Sequence, residues 1–467
     1  MSLHSFTLIT LGCKVNQYDG AALAQALRDK GLRRCPTSDP GELIILNSCC
    51  VTGVAMAKSR NMLRRMIRRS PESSVLLTGC FADYDPAAGY ALLEQAGVPP
   101  EKFALAGNHG DALAQAMRLA GHCAVDNDAS GQSSQPPSHD TIKQRRVESL
   151  NSPPAKARVC APRRFAGRNK AFVKVQDGCD AFCSYCIVPF TRPHVWSKPI
   201  DEVVEECQRL IEAGHREIVL CGIFLGAFGR DTTIRRRWDK TPSRLPELLD
   251  AVAQIDGLWR VRLSSIEPLD VTDDLLGVIE SNPNVAPHFH MPLQSGSADI
   301  LRRMNRQYNP EQFYQRIAAL RDALDSPAIT TDVIVGFPGE SDQDFEDTLD
   351  VLESCGICNL HAFAFSPIDG TSAWNWRDAR PKGEVVHERL TRLDELRSRL
   401  ASEFRRRFVG KKMSALTRRS SRGKGEIIAM TDREFEVTVA SDSPTPGQVV
   451  QVVPIGVCAD TVSGELA

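Results

Sequence analysis

The sequence predicts an α/β protein in three parts: a small parallel α/β domain, an incomplete six-stranded (β/α)6 barrel and a C-terminal small β-barrel. Three observations carry that prediction. Strand-like runs alternate with helical patterns from Phe6 to about Gly121 and again from Ala171 onward. A stretch rich in Pro, Ser, Gln and Asp, with little periodicity, separates the two series. Near Arg407 the helical patterning stops, and short β-rich segments follow. The expected boundaries are 1–123, a linker over 124–165, a barrel over 166–403 and a β-barrel over 404–467, close to the three domains that 467 residues allow.

The first series reads FTLITLG as strand, Ala21–Lys30 as helix, ELIILNS as strand, Ala55–Arg69 as helix and SVLLTG (74–79) as strand. In the second, strands are expected at 171–176, 217–221, 260–265, 288–292, 330–336 and 360–366. Helical patterns such as Asp201–Ala213, Leu245–Ile255 and Asp342–Ser354 lie between them. A closed eight-stranded barrel needs two further βα units, so six strands imply an incomplete one. After the Leu393–Arg407 helix, GEIIAM, REFEVTVA and QVVQVVPIG alternate with turn residues, a pattern of about five strands closing into a barrel.

Composition narrows the function classes. There are 57 Lys and Arg against 58 Asp and Glu, so any affinity for nucleic acid must come from local patches. No apolar run approaches the ~20 residues of a spanning helix, and the N-terminus lacks the pattern of a secretory signal. A cytoplasmic protein with no membrane partner is expected. Its 15 cysteines, an odd number in an unexported chain, point to metal or to cysteine chemistry rather than to disulfides.

Two cysteine constellations stand out. In GCDAFCSYC, Cys179, Cys183 and Cys186 follow the first barrel strand, at the end where such barrels place their active sites. Three thiolates on one loop ligate three irons of a [4Fe–4S] cube and leave the fourth open for a substrate or cofactor. The rival is a zinc knuckle, but His194 is poorly spaced as a fourth ligand. The second set is dispersed: Cys13, Cys49 and Cys80 each follow a strand (LGC, NSC, TGC), so a parallel sheet brings all three to one edge. Cys50 is the rival for the middle position.

These motifs make the chain resemble the radical S-adenosylmethionine methylthiotransferases over essentially its whole length. The matching segments are LGCKVNQYD (11–19), NSCCVT (47–52), KSR (58–60), TGC (78–80) and VQDGCDAFCSYCIVPF, followed by RLSSIEP (262–268), HMPLQSGS (290–297), RRMNR (302–306), DVIVGFPGE (332–340) and FSPIDGTSA (365–373). The resemblance implies two [4Fe–4S] clusters and S-adenosylmethionine, used both as radical source and as methyl donor. It places the catalytic cluster on Cys179, Cys183 and Cys186, where the open iron chelates S-adenosylmethionine and one electron cleaves it to a 5′-deoxyadenosyl radical. An auxiliary cluster on Cys13, Cys49 and Cys80 then carries the sulfur to be inserted. Ser264, Ser265 and Glu267, Gln294, and Gly336 and Gly339 of GFPGE are its candidate cofactor contacts. The family's C-terminal β-barrel, of the TRAM type, binds RNA.

The resemblance also addresses the substrate. GCKVNQYD is similar to the subgroup that acts on N6-threonylcarbamoyladenosine, on the 3′ side of the tRNA anticodon. Relatives act on isopentenyl-adenosine or on a ribosomal-protein aspartate, and a non-catalytic iron–sulfur RNA-binding protein is a rival of another class. The implied partners are the tRNA anticodon stem-loop, a reducing electron donor such as flavodoxin or ferredoxin, and a sulfur donor. Local charge agrees with RNA: Arg60, Arg64 and Arg68 recur every four residues on one helix face. Lys411, Lys412, Arg418 and Arg419 lie in a basic run without an acid. A solvated helix face is the plainer reading of either patch.

Other features are read as structural. Cys355 and Cys358 form a CxxC entering a buried-looking strand, His288 and His290 lie on a strand, and Cys35, Cys123, Cys160, Cys207, Cys221 and Cys458 have no evident partners. One stretch departs from the family pattern: Pro193 and Trp196 stand where Gly and Arg are usual, while Arg192 and Lys198 keep positive charge.

Overall fold

The computed structural model describes residues 3–108, 111–121, 161–165, 169–238, 242–419, 425–441, 445–458 and 460–467, the side chain of Arg419 excepted. Most of the stretch read as a linker (122–160), together with Cys123 and Cys160, lies outside the described residues.

The N-terminal sheet is wholly parallel and has five strands, β1 (Ser5–Thr10), β2 (Arg33–Arg34), β3 (Leu43–Ser48), β4 (Ser74–Gly79) and β5 (Phe103–Ala106), in the order β2-β1-β3-β4-β5. Three of these were legible in the sequence. The outer two are short, and the edge pair Arg33–Arg34 is exposed and polar, so neither shows a strand period. The first helix spans Lys14–Asp29, one turn or more before the expected start at Ala21. Its opening residues are polar, but Val15, Asn16 and Tyr18 are buried, and tertiary packing overrides their weak propensity. Both β3 and β4 are buried throughout, as parallel strands covered on both faces must be.

The second series forms β6 (Lys170–Lys174), β7 (Gln176–Asp177), β8 (Trp196–Ser197), β9 (Glu217–Cys221), β10 (Arg260–Leu263), β11 (His288–His290), β12 (Ala328–Val335) and β13 (Asn359–Ala364). Parallel pairing gives β6-β9-β10 and β11-β12-β13, and the parallel bridges Val261–Val285 and Ser265–His290 join the halves into six consecutive strands. β7 and β8 pair antiparallel across the mouth. The main core, including Val173, Leu220, Val261, Phe289, Val333 and Leu360, fills the layer between strands and helices. Alternation turns Lys174, Cys221, Ser264, His290, Asp332 and His361 to the opposite, lumen face.

A helix over Gly383–Arg406 leads into a closed antiparallel-rich barrel of β14 (Met413–Arg419), β15 (Glu426–Thr431), β16 (Glu436–Ala440), β17 (Val449–Cys458) and β18 (Thr461–Leu466), in the order β14-β15-β16-β18-β17. Glu434, in the β15–β16 turn with φ +61°, reaches across to Lys170 (2.7 Å) and to Arg262 Nη2 (3.1 Å) in the floor of the larger barrel. The small barrel is thereby keyed to the central one by a charged plug. Among the described residues no helix is long and apolar enough to cross a membrane.

Candidate active site

The loop carrying Cys179, Cys183 and Cys186 is fixed from three sides. At its base Gly178 (φ +81°) lies against the His194 carbonyl so closely that a Cβ would overlap it. Gln176 Nε2 donates to the Asp177 and Gly178 carbonyls (3.0 and 2.8 Å), while its Oε1 accepts from Phe224 N (2.8 Å). At its centre, Asn305 Nδ2 donates to the carbonyls of Ala181 and Phe182 (3.1 and 3.0 Å), which stabilises Phe182 in its left-handed conformation (φ +49°). Arg306 Nη1 donates to Cys183 Sγ (3.2 Å), and its Nη2 clamps both Glu267 oxygens. Thr233, fully buried, accepts from Asp180 N (3.1 Å) and contacts Cys179 Sγ at 3.5 Å. The RRMNR segment therefore holds the cysteine loop, a role its sequence did not disclose.

Burial pushes the Cys179 thiol up to about 12 and raises that of Cys186, with the neighbouring loop thiols adding to the rise. Among the described residues no three His, Cys, Asp or Glu side chains converge closely enough for a single metal ion. Three half-buried thiols on one loop, one receiving a guanidinium hydrogen bond, fit an iron–sulfur cube.

The dispersed cysteines lie at strand ends along one edge of the parallel sheet, each within electrostatic reach of another. Gly12 lies so close to Cys49 that a Cβ there would sit 2.9 Å from its Sγ. Asn16 Nδ2 ties the Cys13 turn to Leu11 O and to Ser48 O (3.0 Å). Ser59 of KSR accepts from Cys49 N (3.2 Å) and donates to Cys49 O (3.1 Å). Cys80 opens a short helix, Cys80–Tyr84, and receives Asn108 Nδ2 at 3.3 Å. A hydrogen bond from the Cys50 thiol, helped by Arg192 and Asn108, lowers the Cys80 thiol below its usual value. Burial pushes Cys49 up to about 12 and also raises Cys13, which is solvent-exposed but hemmed in by surrounding protein. Cys50 is completely buried and adjoins Cys80 as a hydrogen-bond donor. Three sulfurs within electrostatic reach of one another at one edge of the sheet fit a second cluster.

Arg192 joins the two centres. It is 1% exposed, donates twice to Asp177 (2.8 Å each), and reaches Asp19 Oδ2 (2.7 Å) and Asn108 Oδ1 (3.0 Å) in the N-terminal domain. Lys174 bridges the same two carboxylates. Trp196 pairs with Asp177 across the β7–β8 ribbon, with its ring 5.6 Å from Lys174 Nζ. Lys198 binds Glu206 and donates to Tyr18 Oη (3.2 Å).

The remaining candidates fall in different settings. Ser264 is buried with no partner for its Oγ among the described residues, Ser265 is exposed, and Glu267 is held by Arg306. Gln294 has φ +64° and bridges to Val333. Gly336 and Gly339 take positive φ; Val386 backs the first and the Arg303 guanidinium the second. On the helix Gly53–Arg69, Arg64 and Arg68 are exposed and Arg60 half-buried; among the described residues none of the three makes an ion pair. Asn61, Arg64, Arg65, Arg68 and Arg69 line an open depression of about 550 Å³. Lys411 and Lys412 are exposed, Arg418 is paired with Glu436, and the Arg419 side chain lies outside the described residues. Cys355 and Cys358 are buried, and His288 and His290 both contact Thr330 Oγ1 within the sheet.

Residues 173–352 match the Radical SAM superfamily and residues 5–97 the uncharacterized protein family UPF0004. Two relatives named threonylcarbamoyladenosine tRNA methylthiotransferase MtaB are similar nearly end to end: that of Bacillus subtilis at 31% identity (95% of this chain, 92% of the relative) and that of Chlamydia pneumoniae at 34% (99% and 96%). A tRNA-2-methylthio-N(6)-dimethylallyladenosine synthase of Zymomonas mobilis is 30% identical over 99% of this chain and 97% of its own. Among solved structures, the radical S-adenosylmethionine methyltransferase TsrM of Kitasatospora setae, with cobalamin and a [4Fe-4S] cluster bound, shares the fold at TM-score 0.54 and 13% identity, covering 80% of this chain and 74% of that one.

Fold and cysteine loop together define a radical S-adenosylmethionine enzyme. Within that class the chain belongs to the tRNA methylthiotransferase family, whose cofactors are two [4Fe–4S] clusters and S-adenosylmethionine.

Proposed function

We propose that the protein converts N6-threonylcarbamoyladenosine at position 37 of tRNA, 3′ of the anticodon, to its 2-methylthio derivative. The observation that supports this reading is that Arg192 ties Asp177, at the base of the Cys179/Cys183/Cys186 loop, to Asp19 and Asn108 of the domain that carries Cys13, Cys49 and Cys80. The names of the 31–34% identical relatives support the threonylcarbamoyl substrate.

The catalytic cluster, when bound, supplies the one-electron cleavage of S-adenosylmethionine; the chain's own part is to hold the groups in register. Arg306 orients Cys183 and Glu267, Thr233 orients Cys179, and Arg192 with Asn108 orients Cys80. Ser264, Ser265, Glu267, Gln294, Gly336 and Gly339 are assigned to S-adenosylmethionine. Arg60, Arg64 and Arg68, with Lys411, Lys412, Arg418 and Arg419, are assigned to the anticodon stem-loop, in a TRAM-like barrel for the last four. A flavodoxin- or ferredoxin-type donor would supply the electron and a separate donor the sulfur, in the cytoplasm.

The test is anaerobic reconstitution with iron and sulfide, followed by reaction with tRNA bearing threonylcarbamoyladenosine and nucleoside mass spectrometry. The expected outcome is about eight irons per chain, 5′-deoxyadenosine release that vanishes in Cys183→Ala, and a 2-methylthio product. Product only from isopentenyl-adenosine tRNA overturns the substrate, and about four irons with cleavage intact overturns the auxiliary cluster.

A further inference from the structure

Between β9 and β10 the chain makes a basic turn, residues 230–238, that lies directly against the catalytic cysteine loop. Thr233 Oγ1 meets Cys179 Sγ (3.5 Å) and Asp180 N (3.1 Å), and the Asp180 carboxylate accepts in return from Thr233 N and Thr232 Oγ1 (2.6 Å each). The Trp238 indole donates to Thr232 O (2.9 Å). Its ring packs on the small apolar cluster of Ala181, Phe224 and Ala227, as do Cys179 and Cys183 themselves. Gln307 fastens the turn from the other side: its Oε1 accepts from Arg235 N (2.7 Å) and its Nε2 donates to Thr233 O (2.9 Å).

The turn carries four arginines against one acid, Asp231. Arg230 stacks on the Trp238 ring, 3.6 Å from its centroid, and Arg235 lies 4.6 Å from it while pairing with buried Asp270 (2.8 Å). Arg236 and Arg237 differ: both are exposed, and among the described residues neither forms an ion pair. Phe182, which immediately precedes Cys183, is 40% exposed. Support of the cysteine loop accounts for Thr232, Thr233 and Trp238. It does not account for two uncompensated guanidiniums held out to solvent on the same short turn, beside an exposed aromatic ring.

We propose that this turn is where an acidic one-electron carrier protein docks to reduce the catalytic cluster, with Arg236 and Arg237 receiving its carboxylates. The inference deepens the proposed function and rests on it. One electron leaves the carrier's reduced flavin or iron–sulfur centre, which is oxidised by one electron, and enters the cluster site on Cys179, Cys183 and Cys186. Electron tunnelling falls off exponentially with distance, so docking belongs where little protein separates the surface from the thiols. Here a half-buried indole packs on the same few side chains as two of those thiols. A few arginines around an aromatic centre steer an acidic protein in and let it leave after each transfer. RNA phosphates are the other anions such a turn attracts, but the basic patches assigned to RNA lie on other elements, the helix Gly53–Arg69 and the small barrel.

The experiment uses the reconstituted holoenzyme with flavodoxin as the probe. Affinity for flavodoxin is read by calorimetry, and 5′-deoxyadenosine release is driven either by reduced flavodoxin or by dithionite, a small reductant that needs no docking surface. Wild-type affinity for flavodoxin should fall as salt rises. Arg236→Glu with Arg237→Glu should weaken flavodoxin binding and slow flavodoxin-driven release by about tenfold or more, while dithionite-driven release, iron per chain and tRNA affinity match wild type. Arg236→Lys with Arg237→Lys, which keeps the charge, should bind flavodoxin nearly as wild type does. A Glu variant that binds flavodoxin like wild type overturns the docking assignment, and one that loses tRNA affinity instead gives the turn to RNA. A Glu variant whose dithionite-driven release falls by the same factor shows a structural role and overturns it as well. A wild type that releases no 5′-deoxyadenosine with dithionite overturns the functional reading itself, and the binding arm still decides the docking.

Discussion

Replacing Arg192 by Met keeps most of the side chain's volume and removes its charge and fork. The guanidinium makes four short hydrogen bonds, two to Asp177, one to Asp19 and one to Asn108, with virtually no solvent contact. After the substitution Lys174 is the cation left to both carboxylates. Removing one partner of a buried ion pair costs about 3–5 kcal/mol, because the remaining charge cannot recover its hydration. The lost bond to Asn108 also frees the amide that donates to Cys80. Two readouts follow. Anaerobic urea unfolding of the reconstituted protein should lose about 3–5 kcal/mol, and iron should fall from about eight toward four per chain, while release of 5′-deoxyadenosine persists because the catalytic loop has its own clamps. Arg192→Lys, which keeps a charge but not the fork, should fall between. A Met variant that loses less than about 1 kcal/mol and keeps all its iron would refute the idea that this side chain locks the two cluster sites together.

Gly178→Ala places a Cβ into the His194 carbonyl at a residue with φ +81°, so the catalytic cysteine loop should misfold and about four irons be lost, measured by iron assay with the far-UV circular dichroism unchanged. Arg64→Glu with Arg68→Glu should weaken tRNA binding uniformly and make the slope of log K against log salt shallower by about one per arginine removed; an unchanged slope would mean the face is merely solvated. Burial alone would raise Glu434, but Arg262 and Lys170 together hold its carboxyl below the usual range. Its stabilisation is thus present above the unfolded value of about 4.3 and lost as pH falls below that. Glu434→Gln should cost about 2 kcal/mol at pH 7 and flatten the acid limb of a stability–pH curve; an unaltered acid limb would sink the charged-plug account.

Much of this arrangement was legible in residue order, and what was not has a physical reason. The six barrel strands announced themselves because each is a short apolar or alternating run between helical patterns, and the equivalent placement of Cys13, Cys49 and Cys80 at strand ends followed from parallel topology alone. The edge strands Arg33–Arg34 and Phe103–Ala106 did not show, since two exposed arginines and a four-residue run carry no period. The helix start at Lys14 was hidden for a related reason: Val15, Asn16, Tyr18 and Asp19 are weak helix formers, and burial of Val15, Asn16 and Tyr18 decides the matter. Residues that act through other residues were also invisible. Ser59, Asn108, Asn305 and Arg306 touch a cysteine, its sulfur or its loop, but their partners lie 10 to 124 residues away, and spacing reports only near neighbours. Arg418 shows the opposite limit. Its charge pattern advertised a free cation, whereas the fold gives it to Glu436, two strands away across β15.

The stretch 192–199 shows why the departure at Pro193 and Trp196 is compatible with a working site. The charge needed at the interface is carried by Arg192, which is buried, and by Lys174, which reaches the same carboxylates from β6. Trp196 replaces a cation by an aromatic face set 5.6 Å from Lys174 Nζ, so the position still stabilises positive charge at that point without adding to it. A further arginine there would crowd Lys174 and Arg192 around two carboxylates, with the excess charge in a region of low dielectric. Pro193 has no N–H to satisfy, and its neighbours on either side supply the carbonyls that the loop uses, Arg192 O accepting from Cys179 N (3.0 Å) and His194 O closing over Gly178. The departure thus preserves the charge balance at the interface and the base of the cysteine loop together, and both cluster sites depend on that balance through Arg192.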